Sequence, residues 1–493
     1  MRSSEETVAT DSTTRDTDIV VLADGQATLH RGDWFEVGPT LPEKSVQCVV
    51  TSPPYFALRS YLPAGHPDKD REIGSEPTPD AFIATMVAVF REVRRVLRDD
   101  GALWLNLGDS FGQASCGGGS PVDVRKPEYG RKGYLKDKAE GRATDKARRD
   151  ESNIRGDWPG QLQNIPHRVA EALRADGWCW RQTIAWVKRS PMPESVRGWR
   201  WERCRVKVSD GPRTEGQWNQ RGGISEHRAP EWRDCPGCPK CEATGGYVLR
   251  RGKGRCTSAH EYVFLLTKGG DYFWDSWASR EKAKYPNDDR KARSRDGQKG
   301  LPTDIINGVR QGSFVSSHRN PRNVWTLSSE PTSEHHFATF PSELVRRCLV
   351  AGVSAGGCCP QCGASFAPVM DSERVPTRPA TNAKASDCTD DKANLDPERH
   401  VAITECLGYR PTCGCGCTEP ARSTVLDPFS GLATVAQTAR QLGHNAIGIE
   451  LNPEYHALAC KRALEPPRWW IRKHGPVEKP STEPLPLFMG EQG

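Results

Sequence analysis

Residues 423–450 read STVLDPFSGLATVAQTARQLGHNAIGIE, and this stretch decides the fold. The apolar run at 423–429 predicts a β-strand, 432–443 predicts a helix, and 445–450 predicts a second strand. Strand, helix and strand in close succession are typical of a parallel sheet with crossover helices.

The turn after the first strand carries the segment Asp427–Gly431, DPFSG. Backbone N–H groups at the start of the following helix can approach a ligand closely. Glu450 ends the second strand, where an acidic residue can bind both hydroxyls of a ribose. The DPFSG turn and Glu450 together indicate a nucleoside-cofactor site. An ordinary connection with a surface acid is the alternative, because short glycine motifs are weak signals.

A second motif follows the apolar run SVQCVV at 45–50, which suits a buried parallel strand and ends at Thr51–Tyr55, TSPPY. Two prolines stiffen the turn, so that the Ser52 hydroxyl and the Pro53 carbonyl can point into a pocket at the sheet edge. Tyr55 adds a flat face for stacking. These groups suit an exocyclic amine on a planar base. The alternative is that the two prolines only end the strand and have no role in binding.

The rest of the chain repeats the alternation of strands and helices. Further strands are predicted at 101–109, 179–188 and 260–268, and further helices at 78–98, 165–178, 340–352 and 452–464. The predicted fold class is α/β, a doubly wound and mostly parallel sheet.

Polar segments interrupt this core. We predict a disordered N-terminus at 1–17, a mobile basic insertion at 112–157, a Cys/Arg/Trp-rich insertion at 190–258, a Cys-rich insertion at 353–421 and a loose tail at 466–493. The core segments between them are 18–111, 158–189, 259–352 and 422–465.

Composition narrows the class of protein. The 493 residues include 69 Lys or Arg and 63 Asp or Glu, a net charge of +6, which permits a nucleic-acid partner without requiring one. No run approaches the ~20 apolar residues of a membrane span, and the N-terminus has no secretory signal. We predict a cytoplasmic, nucleoid-associated protein without a membrane partner, whose 18 cysteines serve as metal ligands rather than disulfides.

The first cysteine cluster is Cys235-x-x-Cys238-x-x-Cys241, whose tight turns can present thiolates to one tetrahedral Zn²⁺. The fourth ligand is Cys204 or Cys256, and we favour Cys204 because Cys256 adjoins a predicted strand. Scattered reduced thiols are the alternative reading.

The second cluster predicts another zinc site with an ambiguous ligand set. Its candidates are Cys359, Cys362, Cys413 and Cys415, for which Cys358 and Cys417 could substitute. Four sulfur ligands leave no open position, so both sites are predicted to be structural and to fix insertions too polar to fold alone.

Two segments could contact DNA. The insertion at 190–258 interleaves cationic and aromatic side chains, which suits phosphate contacts and base stacking; they are Arg197, Trp199, Arg200, Trp201, Arg203, Arg205, Trp218 and Trp232. The segment 123–155 carries 11 Lys or Arg against 7 Asp or Glu. A solvated insertion is the alternative for each.

Taken together, the motifs resemble those of the DNA amino-methyltransferases that use S-adenosylmethionine and methylate cytosine N4 or adenine N6. TSPPY resembles the catalytic motif of that family and VLDPFSG its cofactor motif. Their order resembles the circularly permuted β group with a Rossmann-like methyltransferase fold. Trp186–Lys188 (WVK), His260–Tyr262 (HEY), Asn323–Trp325 (NVW) and the stretch 336–341 (HFATFP) match further family segments in order.

The resemblance implies roles for particular residues. The catalytic motif supplies Ser52, Pro53, Pro54 and Tyr55. The cofactor site comprises Asp427, Pro428, Phe429, Ser430, Gly431, Thr434, Glu450 and Asn452, with Asp33 and Phe340 added from their place in the family pattern. Asp427, Phe429 and Gly431 are expected on the methionine side of the cofactor and Glu450 at the ribose.

The resemblance implies methylation of a cytosine N4 amine in a base flipped out of double-stranded DNA. Ser52 favours cytosine, because adenine enzymes more often carry Asp there. The alternatives are adenine N6 methylation on the same scaffold and a catalytically silent DNA-binding protein. The alternative of a catalytically silent protein is suggested by Ala433, which stands where the family usually has Gly. A cognate restriction endonuclease is a candidate partner whose existence the sequence leaves open.

Overall fold

The computed structural model describes twelve stretches of the chain. They are 19–22, 25–58, 60–62, 65–112, 161–191, 194, 197–209, 231–252, 254–282, 318–330, 340–376 and 400–474. The predicted disordered N-terminus, nearly all of the basic insertion at 112–157, Trp218 and Phe337 lie outside the described residues.

Seventeen strands occur within these stretches. They are β1 (Ile19–Val21), β2 (Ala27–Arg31), β3 (Val46–Thr51), β4 (Leu97–Leu107), β5 (Cys179–Lys188), β6 (Trp199–Arg203), β7 (Arg205–Ser209), β8 (Glu231–Asp234), β9 (Tyr247–Arg251), β10 (His260–Thr267), β11 (Glu281–Lys282), β12 (His318–Arg319), β13 (Val324–Leu327), β14 (Phe366–Pro376), β15 (His400–Pro411), β16 (Thr424–Asp427) and β17 (Asn445–Glu450).

Nine of these strands form one central sheet in the order β1-β2-β17-β16-β3-β4-β10-β5-β13. Seven of them run in the same direction, whereas β1 and β10 are antiparallel to their neighbours. The strand before the TSPPY motif, β3, pairs directly with β16 before the DPFSG motif. The prediction of a mostly parallel sheet with permuted motif order is confirmed.

The helices among the described residues cover both faces of the sheet. They are α1 (Trp34–Val37), α2 (Pro79–Val96), α3 (Ile165–Ala175), α4 (Ser342–Gly352), α5 (Thr434–Gln441), α6 (Pro453–Arg462) and α7 (Arg468–His474). The apolar sides of α1, α2 and α3 pack on one face, and those of α4, α5 and α6 pack on the other. The sheet is therefore doubly wound, as the sequence predicts.

The side chains of a central strand alternate between the two hydrophobic layers. On β3, Cys48 and Val50 belong to the α4–α6 layer and Val49 to the α1–α3 layer. On β4, Trp104 and Leu103 divide in the same way. Burial on both faces explains why these strands are continuous apolar runs rather than alternating ones.

The start of α2 illustrates how local sequence defines an element. The Thr78 hydroxyl accepts a hydrogen bond of 3.1 Å from the Ala81 backbone N–H, and Pro79 occupies the first helical turn. Both features match the predicted cap.

Three sequence expectations need correction. The insertion at 190–258 is not wholly irregular, because β6 pairs with β9 and β7 with β8. The segment after Pro466 forms α7 before the described chain ends, and Arg472 donates to buried Glu330 at 3.1 Å. The sequence analysis also missed the sheet strand β2. Among the described residues no helix is both long and apolar enough to cross a membrane.

Candidate active site

The carboxyl ends of β3 and β16 lie side by side in the middle of the sheet. The chain turns from β3 toward β4 on one side and from β16 toward β17 on the other, so a crevice opens between them. The Thr51 hydroxyl donates a hydrogen bond of 2.7 Å to Asp427 Oδ1 across this junction. The two sequence motifs, which are 376 residues apart in the chain, therefore meet at one edge.

A cleft at this edge encloses about 880 Å³ with its open mouth included. Nine of the ten predicted cofactor residues line it: Asp33, Phe340, Pro428, Phe429, Ser430, Gly431, Thr434, Glu450 and Asn452. Ser52 and Pro54 of the second motif line the same cleft, and Pro53 and Tyr55 adjoin them in the chain without being part of the lining. The fold thus brings both motifs to one cavity.

Glu450, at the tip of β17, is fixed by two backbone N–H groups. Its Oε2 accepts from the Gly431 N–H at 2.9 Å and its Oε1 from the Asn452 N–H at 2.8 Å. Burial raises the pKa of Glu450 to about 7; the two backbone bonds oppose the rise and the nearby Asp427 carboxylate adds to it. Each carboxylate oxygen keeps a further lone pair for a ligand hydroxyl.

Asp427 does not line the cleft but is buried directly beneath it. Its Oδ1 accepts from Thr51 and from the Phe429 N–H at 3.1 Å, which fixes the turn after β16. Its Oδ2 has no hydrogen-bond partner among the described residues. Burial raises the pKa of Asp427 to about 7. This orphaned acceptor below an electronegative cleft suits a cationic ligand such as a sulfonium or ammonium group.

Part of the cleft wall comes from residues that carry no recognisable motif. Tyr61, Arg71 and Glu72 line it, and Arg71 Nε lies 3.8 Å from Asp33 Oδ2. The Asn452 amide donates to the Tyr61 carbonyl at 2.8 Å and so joins this wall to the cofactor half. The sequence analysis missed this wall, because nothing in the segment matches a known pattern.

Ala433 holds an unusual backbone conformation beside the cofactor turn. Its φ of 56° lies in the left-handed region, which glycine adopts without strain. Its side chain is buried in the hydrophobic layer of α4–α6 and is absent from the cleft lining. The methyl of Ala433 therefore packs into the core and is not part of the cleft lining.

Tyr55 of the TSPPY motif anchors a polar network next to the cleft residues Ser52 and Pro54. Its hydroxyl donates to Glu261 Oε2 at 2.6 Å and accepts from Asn106 Nδ2 at 2.8 Å, and Glu261 forms an ion pair with Lys188. Burial and the Glu261 carboxylate raise the pKa of Tyr55 well above its usual value. A Cβ atom at Gly108 would lie 2.5 Å from the tyrosine ring, so the glycine leaves space for it.

Asn106 connects this network to Ser52. Its Nδ2 lies 3.2 Å from Ser52 Oγ, to which it donates, and its Oδ1 has no partner among the described residues. The sequence analysis assigned no role to Asn106, Lys188 or Glu261, although the last two stand in the quoted WVK and HEY segments. Their role emerges only from strand pairing, because β10 lies between β4 and β5.

Four thiols of the first cysteine cluster converge on one point. The Sγ atoms of Cys204, Cys235, Cys238 and Cys241 all lie within 4.8 Å of one another. Cys238 Sγ is 3.9 Å from Cys204 Sγ and 3.6 Å from Cys241 Sγ. A zinc tetrahedron with Zn–S bonds of ~2.3 Å has edges of about 3.8 Å. The geometry selects Cys204 over exposed Cys256 as the fourth member.

The second cluster brings together Cys359, Cys362, Cys413 and Cys415, again within 4.8 Å. The buried Cys358 is excluded, because its thiol donates to the Arg422 carbonyl at 3.5 Å. Cys417 packs nearby but lies outside the group of four. Both sets of four thiols that the sequence analysis favoured are therefore assembled.

Comparison with known proteins agrees with this geometry. The N6/N4 methyltransferase family model, described as DNA methylase, matches residues 46–359 and 416–461. Type II methyltransferase M.XycI of Xanthomonas campestris pv. cyanopsidis is 29% identical over 436 residues, which cover 88% of this chain and 87% of that protein. M.Cfr9I of Citrobacter freundii is 27% identical over 436 residues, with the same coverage.

Two solved structures align over most of the chain. A putative DNA modification methylase from Thermus thermophilus, complexed with S-adenosyl-L-methionine, has a TM-score of 0.35 and 18% identity, with 88% of this chain and 92% of that chain covered. The cytosine-N4-specific PvuII DNA methyltransferase has a TM-score of 0.39 and 13% identity, with 89% and 86% covered. Because the family model spans well over half of the sequence, this chain belongs to the S-adenosylmethionine-dependent DNA amino-methyltransferases of the N6/N4 family.

Proposed function

We propose that the protein methylates the N4 amine of a cytosine flipped out of double-stranded DNA at a specific site. The observation that carries this proposal is Ser52, whose hydroxyl stands in the cleft that also contains the cofactor motif. A serine at this place is a neutral acceptor, which resembles the cytosine subgroup. Adenine N6 methylation on the same scaffold is the nearest alternative.

S-adenosylmethionine fits the cleft chemically. Glu450 would accept from the ribose hydroxyls, and the turn Asp427–Gly431 would hold the methionine side above the orphaned Asp427 oxygen. Thr434, Asn452, Asp33 and Phe340 would complete the wall. When bound, this cofactor supplies an electrophilic methyl group on a sulfonium.

The chain itself must make the target amine nucleophilic, because the amine lone pair is delocalised into the ring. Ser52 Oγ and the Pro53 carbonyl would accept its two hydrogens and favour a pyramidal nitrogen. Asn106 already donates to Ser52 Oγ and fixes its position. The hydrogen bond from Asn106 thus orients the Ser52 hydroxyl in advance, so that a lone pair of its oxygen can accept from the amine.

Tyr55 would support the flipped base by stacking, because a base inside a duplex is out of reach. Its ring is fixed by two hydrogen bonds at the hydroxyl, to Glu261 and from Asn106. A ring fixed in advance loses little conformational entropy when a base stacks on it.

The direct test is product identification. The purified protein is incubated with unmethylated genomic DNA and S-adenosylmethionine, and the digested nucleosides are identified by mass spectrometry, with Ser52→Ala as control. N4-methylcytosine made by the wild type and reduced in the variant supports the proposal. N6-methyladenine would overturn the choice of base. No methylated base despite cofactor binding would favour a silent DNA-binding protein.

We further propose that each cysteine cluster binds one structural zinc ion. Four convergent thiolates per site leave no open coordination position, and the two sulfur separations of 3.6 and 3.9 Å in the first cluster are close to the tetrahedral edge. Mass spectrometry of the metal content should give two zinc ions per chain. Cys238→Ser should lower this to one, whereas Cys256→Ser should leave it at two; retention of two ions in Cys238→Ser would contradict the assignment.

The names of the relatives support a Type II modification role for this chain. We propose that its product protects DNA against an endonuclease that recognises the same sequence. Plasmid DNA from cells that express the protein should resist one such nuclease, and plasmid from cells that express Ser52→Ala should be cut. Equal cleavage of both plasmids by every nuclease tested would contradict this role.

A further inference from the structure

The first cysteine module, residues 197–209 and 231–252, emerges at the catalytic edge of the sheet. β5 runs in the same direction as β3 and β4 and antiparallel to β10, so β5 ends where β10 begins, at the same edge of the sheet as the carboxyl end of β3, with β4 between β10 and β3. The Lys188 N–H donates to the Ala259 carbonyl at 2.8 Å, which closes the base of the insertion. Lys188 also pairs with Glu261, the partner of Tyr55.

A contact beyond β4 anchors the module at the same edge. The Arg255 guanidinium lies 3.7 Å from the ring centre of Phe111, and Arg255 also pairs with Glu194. The chain therefore leaves and re-enters the sheet within a short distance of the TSPPY motif.

One face of the β6–β9 ribbon, defined by Trp199, Trp201, Arg203, Tyr247 and Arg251, combines aromatic rings with cations. Trp199 pairs with Arg251 across the strands, and Arg203 pairs with Tyr247. The two indoles are 67% and 57% exposed. Arg251 lies 4.8 Å from the Trp199 ring centre, and Arg203 lies 5.8 Å from that of Tyr247.

The charge of the module complements a polyanion. Its described residues include nine Lys or Arg against four Asp or Glu. Four thiolates with one Zn²⁺ would contribute two negative charges, so the module stays net positive. The second ribbon adds Trp232, 52% exposed and paired with Lys207. Exposure of large indole rings to water is energetically unfavourable, and exposed indoles beside cations are typical of binding surfaces.

The cysteine cluster makes this surface rigid. Cys204 joins β6 to β7, and its carbonyl accepts from the Cys235 N–H at 2.8 Å just after β8. The Cys204 N–H donates to the Gly246 carbonyl at 2.8 Å before β9. The cluster thus ties all four strands together, and side chains fixed in this way lose less entropy on binding.

The second cysteine module, residues 353–376 and 400–421, lies at the opposite edge of the sheet. Gln47, at the start of β3, donates to the Gly363 carbonyl at 3.1 Å, and Arg98, at the start of β4, donates to the Cys362 carbonyl. Its exposed apolar residues are Met370 and Leu407, with no tryptophan among the described residues of the module. This module therefore offers a control surface remote from the catalytic edge.

We propose that the aromatic–cationic face of the β6–β9 ribbon is a contact surface for duplex DNA; this inference rests on the proposed function. A two-stranded ribbon fits the major groove. Arg203 and Arg251 contact phosphates, and the indoles of Trp199 and Trp201 pack on sugars and on base faces exposed when the target flips. Single-stranded nucleic acid is the competing occupant.

The test compares the double variant W199A/W201A and the variant Arg251→Ala with Leu407→Ala, an exposed control on the second module. The probes are sheared, unmethylated genomic duplex DNA and the same DNA heat-denatured. Methyl transfer from labelled S-adenosylmethionine gives KM for DNA and kcat, and calorimetry gives the cofactor Kd. Zinc content checks that each variant is folded.

The double variant should raise KM for duplex DNA at least tenfold, with cofactor Kd and zinc content unchanged. Arg251→Ala should reduce the slope of log affinity against log salt by about one, and it tests the surface even if the double variant fails to fold. Leu407→Ala should behave as wild type. Unchanged duplex KM in both ribbon variants, or a loss confined to denatured DNA, would overturn the inference.

These results are distinguishable from failure of the proposed function. If the wild type binds the cofactor but methylates no DNA, the function itself fails before the variants are compared. If the wild type methylates DNA and the ribbon variants match it, only the docking surface is wrong.

Discussion

Replacing Glu450 with glutamine should weaken both cofactor binding and the fold. The carboxylate accepts one backbone N–H at each oxygen, from Gly431 and Asn452. Glutamine has one carbonyl oxygen, so its NH₂ group must face one of those N–H donors, which costs roughly 1–3 kcal/mol. Loss of a charge-assisted bond to the ribose costs roughly 1.5–3 kcal/mol of binding energy. The expected change is a 10- to 150-fold higher Kd for S-adenosylmethionine.

The pH dependence of wild-type stability gives a second readout. The pKa of Glu450 rises from 4.5 to about 7 on folding, so the folded state retains the proton that the unfolded state releases between these values. Stability from this group is therefore full below pH 4.5 and is lost as pH rises to 7. The loss of stability is at most about 3 kcal/mol at 1.36 kcal/mol per pKa unit. It is smaller than this limit because the Glu450 side chain partly faces the cleft.

Cofactor binding should show the opposite pH dependence. The ribose hydroxyls donate to the ionised carboxylate, and with a pKa of about 7 roughly one tenth of the protein is ionised at pH 6. Ionisation of Glu450 should therefore raise wild-type affinity about tenfold between pH 6 and pH 8, in addition to any rise from Asp427, whose pKa is also about 7. Glu450→Gln should lose the Glu450 part and keep only the rise from Asp427.

Calorimetry from pH 6 to pH 8 with S-adenosylmethionine and its demethylated product measures these affinities, and thermal unfolding without ligand measures stability. A Kd for Glu450→Gln within twofold of the wild type would refute a ribose role for Glu450. A wild-type Kd that does not change with pH would refute the assigned protonation.

Three further results are expected. Ser52→Ala should lower kcat at least tenfold and leave the cofactor Kd within twofold; unchanged turnover would remove the serine from the mechanism. Asn106→Ala should lower kcat less than Ser52→Ala does, since it frees the Ser52 hydroxyl without removing it, and an effect on cofactor Kd alone would contradict that role. Ala433→Gly relieves a left-handed alanine but empties a buried methyl site, so the midpoint of thermal unfolding should shift by no more than a few degrees, with cofactor Kd unchanged; a large affinity gain would show that the methyl does reach the cofactor.

The sequence predicted those parts of the fold that local pattern defines. A polar, glycine or proline residue stands within two positions of each end of β5, β17 and the buried run of β3, so the limits of these strands were predicted within a residue or two. The two motifs were placed at strand ends for the same reason. Their meeting followed from the rule that parallel strands end at one edge.

Features that depend on strand pairing could not be predicted. The buried run of β10 has the same apolar pattern whichever direction it takes, so its antiparallel insertion beside β4 was missed. The link of Asn106, Tyr55 and Glu261 follows only from that insertion. The short ribbons β6–β9 and β7–β8 have no buried face of their own, and a cluster of thiols organises them instead.

The pairing of β3 with β16 has a consequence for synthesis of the protein. A ribosome that adds ~5–20 residues per second completes β3 roughly 20–75 s before Asp427 appears, since the bonded residues Thr51 and Asp427 are 376 positions apart. During that interval β3 lacks one neighbour, and Ser52 does not have the DPFSG turn at the same sheet edge. A nascent or prematurely terminated chain would therefore be unable to modify DNA, and a chaperone that shields the open edge of β3 should increase the yield of active protein.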